Sequence, residues 1–126
     1  MKLLLDSHIL LWWSAGDPRL GKRAEKLLAA QTNEFFVSAA SWWELGIKQV
    51  LGRLRIDLNL ARVELQRRRV QFLPVTIEHA MVAGALPALH GDPFDHMLVA
   101  QASVEGLALL TRDRKLKACG AAVMHV

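Results

Sequence analysis

The sequence predicts an α/β domain: a central parallel sheet of about four or five strands with helices on both faces. Three observations predict it. Short apolar runs of strand length alternate along the chain with segments of helical period. Two of those runs, KLLLD at 2–6 and LALLT at 107–111, are apolar almost without interruption, as strands covered on both faces are. The 126 residues, 52% of them hydrophobic, supply one core, so a single domain is expected over 1–126.

Each element has a local reason. After the strand at 2–6, SHILLWWSAG reads as a helix that Gly16 ends. Residues 19–31 form an amphipathic helix, with Leu20, Ala24, Leu27 and Leu28 on one side. EFFVSA (34–39) is a strand. SWWELGIKQVLG (41–52) is a helix, with Ser38 or Ser41 as its cap and Gly52 as its stop. A helix near 58–69 follows Asp57. VQFLPV (70–75) is a strand cut short by Pro74, and Thr76 opens a helix over 76–86. Residues 92–106 form a helix that is apolar nearly all round and therefore buried. Strands at 107–111 and 121–126 complete the pattern.

Composition narrows the function classes. Charged residues make up 22% of the chain, which argues against disorder. The single cysteine, Cys119, rules out a disulfide framework within the chain and suits a reducing compartment; as a side chain it reads as a small buried apolar residue. MKLLLDSHILLWW makes a poor signal peptide, because Asp6, Ser7 and His8 interrupt it, and no run reaches the length of a membrane span. A cytoplasmic protein without a membrane role is expected. The net charge is +4 and the pI about 9.7, which permits a polyanionic partner. The basic clusters are Arg67, Arg68 and Arg69, and Arg112, Arg114, Lys115 and Lys117. A solvated helix face or turn explains each cluster equally well.

The acidic residues carry more information. In parallel sheets, ligands bind outside the carboxyl ends of the strands. Asp6 closes the first strand, and Thr111, Arg112 and Asp113 directly follow LALLT. The 92–106 helix runs antiparallel to that strand, so its start returns to the same edge. Asp92 before Pro93 matches a helix cap with proline at the first helical position. Asp95 then falls in the first turn, where an acid also suits the helix dipole. Topology nonetheless puts Asp6, Asp95 and Asp113 on one edge. Clustered carboxylates repel, and a hard divalent ion such as Mg²⁺ or Mn²⁺ relieves that repulsion. Such an ion also binds phosphate oxygens and activates water. A basic protein with an acidic pit therefore suits phosphodiester hydrolysis. Glu44 is a fourth candidate; spacing alone favours a surface pair with Lys48, but Trp42, Trp43, Leu45 and Ile47 surround it.

Taken in order, LLLDSHILLWW, VSAASWWELGIK, DPFDHMLVAQA and LLTRD resemble the PIN-domain nucleases, and more narrowly the VapC-like ribonuclease toxins of bacterial type II toxin–antitoxin pairs. Each fragment alone is weak; the set of four, spread over nearly the whole chain, is specific. The resemblance implies a PIN-like domain and a Mg²⁺- or Mn²⁺-dependent endoribonuclease. It implies that Asp6 and Asp95 are direct metal ligands, that Glu44 binds metal or orients water, and that Asp113 completes the site, in part through water. Thr111 fits the hydroxyl beside the last acid. Asp92 belongs to a DPFD variant of the motif and is assigned to the cap, with metal contact through water as the lesser option. Water is expected to attack phosphorus and the 3′-oxygen to leave. The implied partners are an RNA substrate, a second copy of the chain in a homodimer, and a small antitoxin whose C-terminal segment covers the acidic groove.

Trp12, Trp13, Trp42 and Trp43 are better read as core or dimer contacts than as base-stacking residues. Of the five histidines, His8 and His96 lie close in sequence to Asp6 and Asp95, and the lack of HxxxH or HExxH spacing argues against zinc. GDP at 16–18 and 91–93 is turn and cap chemistry rather than a phosphate loop. Three rival readings remain: a receiver-like Mg²⁺-binding signalling domain, a non-catalytic nucleic-acid-binding module, and a PIN nuclease of RNA processing. The receiver is disfavoured because FLPVT, after the third strand, offers no phosphoacceptor aspartate.

Overall fold

A computed structural model of the chain describes residues 1–87, 92–120 and 122–126. Gly91 of the GDP cap reading, and Ala121 of the last predicted strand, lie outside the described residues.

Five parallel strands form one sheet: β1 (Lys2–Leu5), β2 (Glu34–Ser38), β3 (Gln71–Leu73), β4 (Ala108–Thr111) and β5 (Val123–His125), in the order β3-β2-β1-β4-β5. Leu4 pairs with Phe36 on one side and with Leu109 on the other. This order differs from the 2-1-3-4-5 arrangement of a receiver. The helices are α1 (Ser7–Ala15), α2 (Lys22–Ala29), α3 (Ala39–Val50), α4 (Leu58–Arg67), α5 (Ile77–Ala85) and α6 (Pro93–Glu105).

The apolar strands are covered on both faces because alternate side chains feed two cores. Leu3, Leu5, Phe35, Val37 and Leu110 pack with Ile9 and Leu10 of α1, Leu28 of α2, Leu45 of α3 and Leu65 of α4. Leu4 and Leu109 pack on the other face with Leu98, Val99 and Ala102 of α6. Consecutive burial of Leu98 through Ala102 bears out the reading of α6 as an enclosed helix.

Most boundaries follow capping chemistry. Asp6, Ser38, Asp57, Thr76 and Asp92 each accept a backbone N–H in the first turn of the helix they open. Ser38 is thus the cap of α3, and that helix begins at Ala39, two residues before the predicted start. Gly16 and Gly106 end α1 and α6 in the left-handed region. The predicted helix at 19–31 is corrected. Asp17 and Pro18 open a short 3₁₀ turn over Pro18–Leu20, and Gly21 (φ 84°) breaks it before α2. The strand predicted at 70–75 shrinks to Gln71–Leu73 ahead of Pro74.

Candidate active site

The strand order reverses direction between β1 and β4, and the crevice beyond the carboxyl ends at that point is where ligands of such sheets bind. Asp6 directly follows β1, and Thr111 is the last residue of β4. One oxygen of Asp6 accepts the N–H of Ile9 at 2.9 Å, while the other accepts the hydroxyl of Thr111. Thr111 Oγ1 in turn accepts the N–H of Asp113 at 3.0 Å. Asp113 Oδ1 accepts the N–H of Lys115 at 2.9 Å, which turns the chain at the mouth. Asp6 and Thr111 are buried.

The other acids arrive on helices whose starts face the same edge. Asp92 caps α6, its Oδ1 accepting the N–H groups of Phe94 at 2.9 Å and Asp95 at 3.4 Å. That leaves Asp95, half-buried, in the first turn of the helix. Glu44 of α3 is only 8% exposed, and its Oε2 lies 3.3 Å from Lys48 Nζ. Both sequence readings of Glu44 therefore hold: it is buried, and it carries an ion pair one turn along.

These groups share one field. Burial pushes the Asp95 carboxyl up to about 7, and the charges of Asp92, Asp113, Glu44 and Asp6 push in the same direction. Burial also raises Asp6, against the hydrogen bonds from Ile9 and Thr111 that favour its charged form. Cys119 feels the same edge: burial, then Asp95 and Asp113, hold its thiol up. The expectation of a buried Cys119 is corrected to a half-buried thiol that donates to the carbonyl of Lys115 at 3.7 Å.

Among the described residues, no three His, Cys, Asp or Glu side chains stand close enough to enclose a metal ion. The carboxylates share an edge and a potential rather than a closed cage. Facing like charges hold apart unless a cation offsets them. The donors available are carboxylate oxygens, which suit a hard divalent ion, and such an ion would relieve the repulsion that, after burial, raises the Asp95 carboxyl.

Other sequence candidates lie elsewhere. The Arg67–Arg69 run sits before β3, at the amino edge of the sheet, where Arg68 stacks on Trp13 and pairs with Glu64 at 3.2 Å. Trp12, Trp13 and Trp42 pack against the core, whereas Trp43 is 67% exposed. His8 lies beside Trp12, with ring centroids 5.5 Å apart. One polar group escaped sequence analysis. His79, fully buried, accepts the N–H of Thr76 through Nδ1 at 3.0 Å and meets Glu105 through Nε2 at 2.8 Å. Its position three residues after the Thr76 cap was the available signal, obscured because Glu or Gln usually fills that place.

Comparison with known proteins agrees with this arrangement. A family model described as PIN domain matches residues 3–121. Ribonuclease VapC22 of Mycobacterium tuberculosis is 34% identical over 117 residues, covering 91% of this chain and 89% of the relative. Among solved structures, VapBC2 from Rickettsia felis bound to a promoter DNA fragment superposes with a TM-score of 0.70 at 16% identity, over 100% of this chain and 98% of that one. DNA-bound VapBC from Salmonella typhimurium gives 0.70 at 21% identity, over 99% and 98%. The structural likenesses establish the fold.

Proposed function

We infer that this chain, which belongs to the PIN domain family, is an endoribonuclease that hydrolyses RNA phosphodiester bonds with a bound Mg²⁺ or Mn²⁺. Its role would be that of the toxin in a toxin–antitoxin pair. Kinship with a protein named as a ribonuclease supports the activity, and the fold shared with toxin–antitoxin complexes supports the role. One observation carries the reading: Thr111 ties Asp6, at the end of β1, to Asp113, just after β4, at the carboxyl edge where α6 begins with Asp95.

Asp6, Asp95 and Glu44 would hold the ion by closing in on it from their shared edge, with Asp113 completing the set. When bound, the ion lowers the pKa of water and offsets the charge on the phosphate. The chain's own part is positional. Ile9 N–H and Thr111 O–H hold the two oxygens of Asp6 in a fixed orientation. Thr111 also anchors the backbone of Asp113, so one hydroxyl couples two acids. Lys48 steadies the Glu44 carboxylate. Asp92 caps the helix and holds the backbone of Asp95. Attack of water on phosphorus with departure of the 3′-oxygen leaves a 5′-phosphate and a 3′-hydroxyl. An antitoxin segment would cover this groove and set an arginine against the carboxylates. A homodimer is the proposed assembly. Among the described residues, no helix is long and apolar enough to cross a membrane.

The test is cleavage of RNA by purified protein with Mg²⁺ or Mn²⁺, beside a chelator control and the variants Asp6→Asn and Asp95→Asn. Both variants should fold and lose cleavage. Activity retained in either removes that residue from the ligand set, and cleavage indifferent to chelator removes the metal.

A further inference from the structure

Next to the acids, on the same ends of the same two helices, is a cavity of about 450 Å³. Its walls include Ala39, Trp43, Val75, Pro93, Phe94 and Met97, all apolar. Trp43 directly precedes Glu44, and Phe94 directly precedes Asp95. Consecutive helical residues point about 100° apart, so the cavity and the acids occupy adjoining faces of α3 and α6. The Trp43 and Phe94 rings meet edge to face, with centroids 5.3 Å apart. An indole left 67% exposed at the rim of a concave apolar site is unusual, because its large face gains free energy when covered.

We propose that this cavity is a nucleobase subsite, which takes the base of a nucleotide flanking the scissile phosphate by stacking it on Trp43 against Phe94 and Met97. The proposal rests on the ribonuclease reading and specifies how that site holds its substrate. The walls offer a π-face and aliphatic surface but almost no polar side chain, so recognition is by stacking, which tolerates any base. The cavity is large enough for a base to enter and lie against the indole. Its position beside the carboxylates also places it where a strand held at the acidic edge must pass.

A short single-stranded oligouridylate carrying one 2-aminopurine serves as the probe, with Ca²⁺ in place of Mg²⁺ so that the probe stays intact. The aminopurine fluorescence should change on binding to the wild-type protein. Trp43→Ala should raise the Kd about tenfold, the loss of one stacked base. Trp43→Phe should restore most of the affinity, and Ala39→Leu, which fills the cavity from its rim, should weaken binding with Trp43 intact. Unchanged affinity in Trp43→Ala overturns the proposal, as does a variant that loses self-association while binding the probe normally, since that marks a protein-docking face. Cleavage with Mg²⁺ is scored separately. RNA cleaved without an aminopurine response in the calcium experiment refutes the subsite and leaves the nuclease; a probe that stacks on a protein unable to cleave RNA refutes the nuclease.

Discussion

Asp95→Asn should make the metal-free protein more stable at neutral pH while abolishing its activity. The carboxyl of Asp95 is raised from an ordinary 3.8 to about 7, first by burial and then by the charges of Asp92, Asp113, Glu44 and Asp6. Between those values the unfolded chain has released the proton and the folded chain has not. The folded state therefore loses stability relative to the unfolded state as pH rises from about 4 to about 7, and the loss is complete above that. At 1.36 kcal/mol per pKa unit, the difference corresponds to about 4 kcal/mol. Asp95 is half-buried, so solvent screening cuts the figure, and asparagine forfeits part of the helix-dipole gain; about 1–2 kcal/mol remains. Urea unfolding with chelator present, at pH 4 and at pH 8, measures this directly. The variant should match the wild type at pH 4 and exceed it by that margin at pH 8. Saturating Mg²⁺ should then stabilise the wild type by about 2.7 kcal/mol at a hundredfold excess over Kd, and the variant far less. A wild type at least as stable as the variant at pH 8 without metal would refute the shared field, as would a gap that does not close toward pH 4.

Three further outcomes follow from named contacts. Asp92→Asn should keep most of the cleavage activity, because asparagine caps helices as well, and should lower the Asp95 pKa seen by carboxyl NMR titration; Asp92→Ala should cost about 1 kcal/mol of stability. Thr111→Val leaves one oxygen of Asp6 without its donor and the Asp113 N–H without an acceptor, for about 1–3 kcal/mol in urea unfolding and a cleavage rate at least tenfold lower, whereas Thr111→Ser should recover both. His79→Ala removes a buried cap partner and should destabilise by about 2–4 kcal/mol, with the residual folded protein cleaving RNA normally in a single-turnover assay.

Local chemistry and pattern alone established much of this molecule. The apolar runs at β1 and β4 declared a sheet covered on both faces, since no half-solvated strand tolerates Leu3, Leu4 and Leu5 in succession. Caps at Asp57, Thr76 and Asp92 are read within four residues and were legible for that reason. Alternation of strand and helix is enough to put Asp6, Asp95 and Asp113 on one edge. Where the chain departed from expectation, a backbone preference competed with periodicity: Gly21 and Pro18 divided what the apolar spacing joined into one helix. Glu44 could not be settled from spacing, because its partner Lys48 lies one turn away whether the helix faces water or the sheet; burial decided that it does both. The tie between Thr111 and Asp6 spans 105 residues, and the Trp43–Phe94 cavity joins two helices far apart in sequence. Contacts of that kind arise only when the sheet brings strand ends together, so they depend on strand order and helix placement, which no local window of residues encodes.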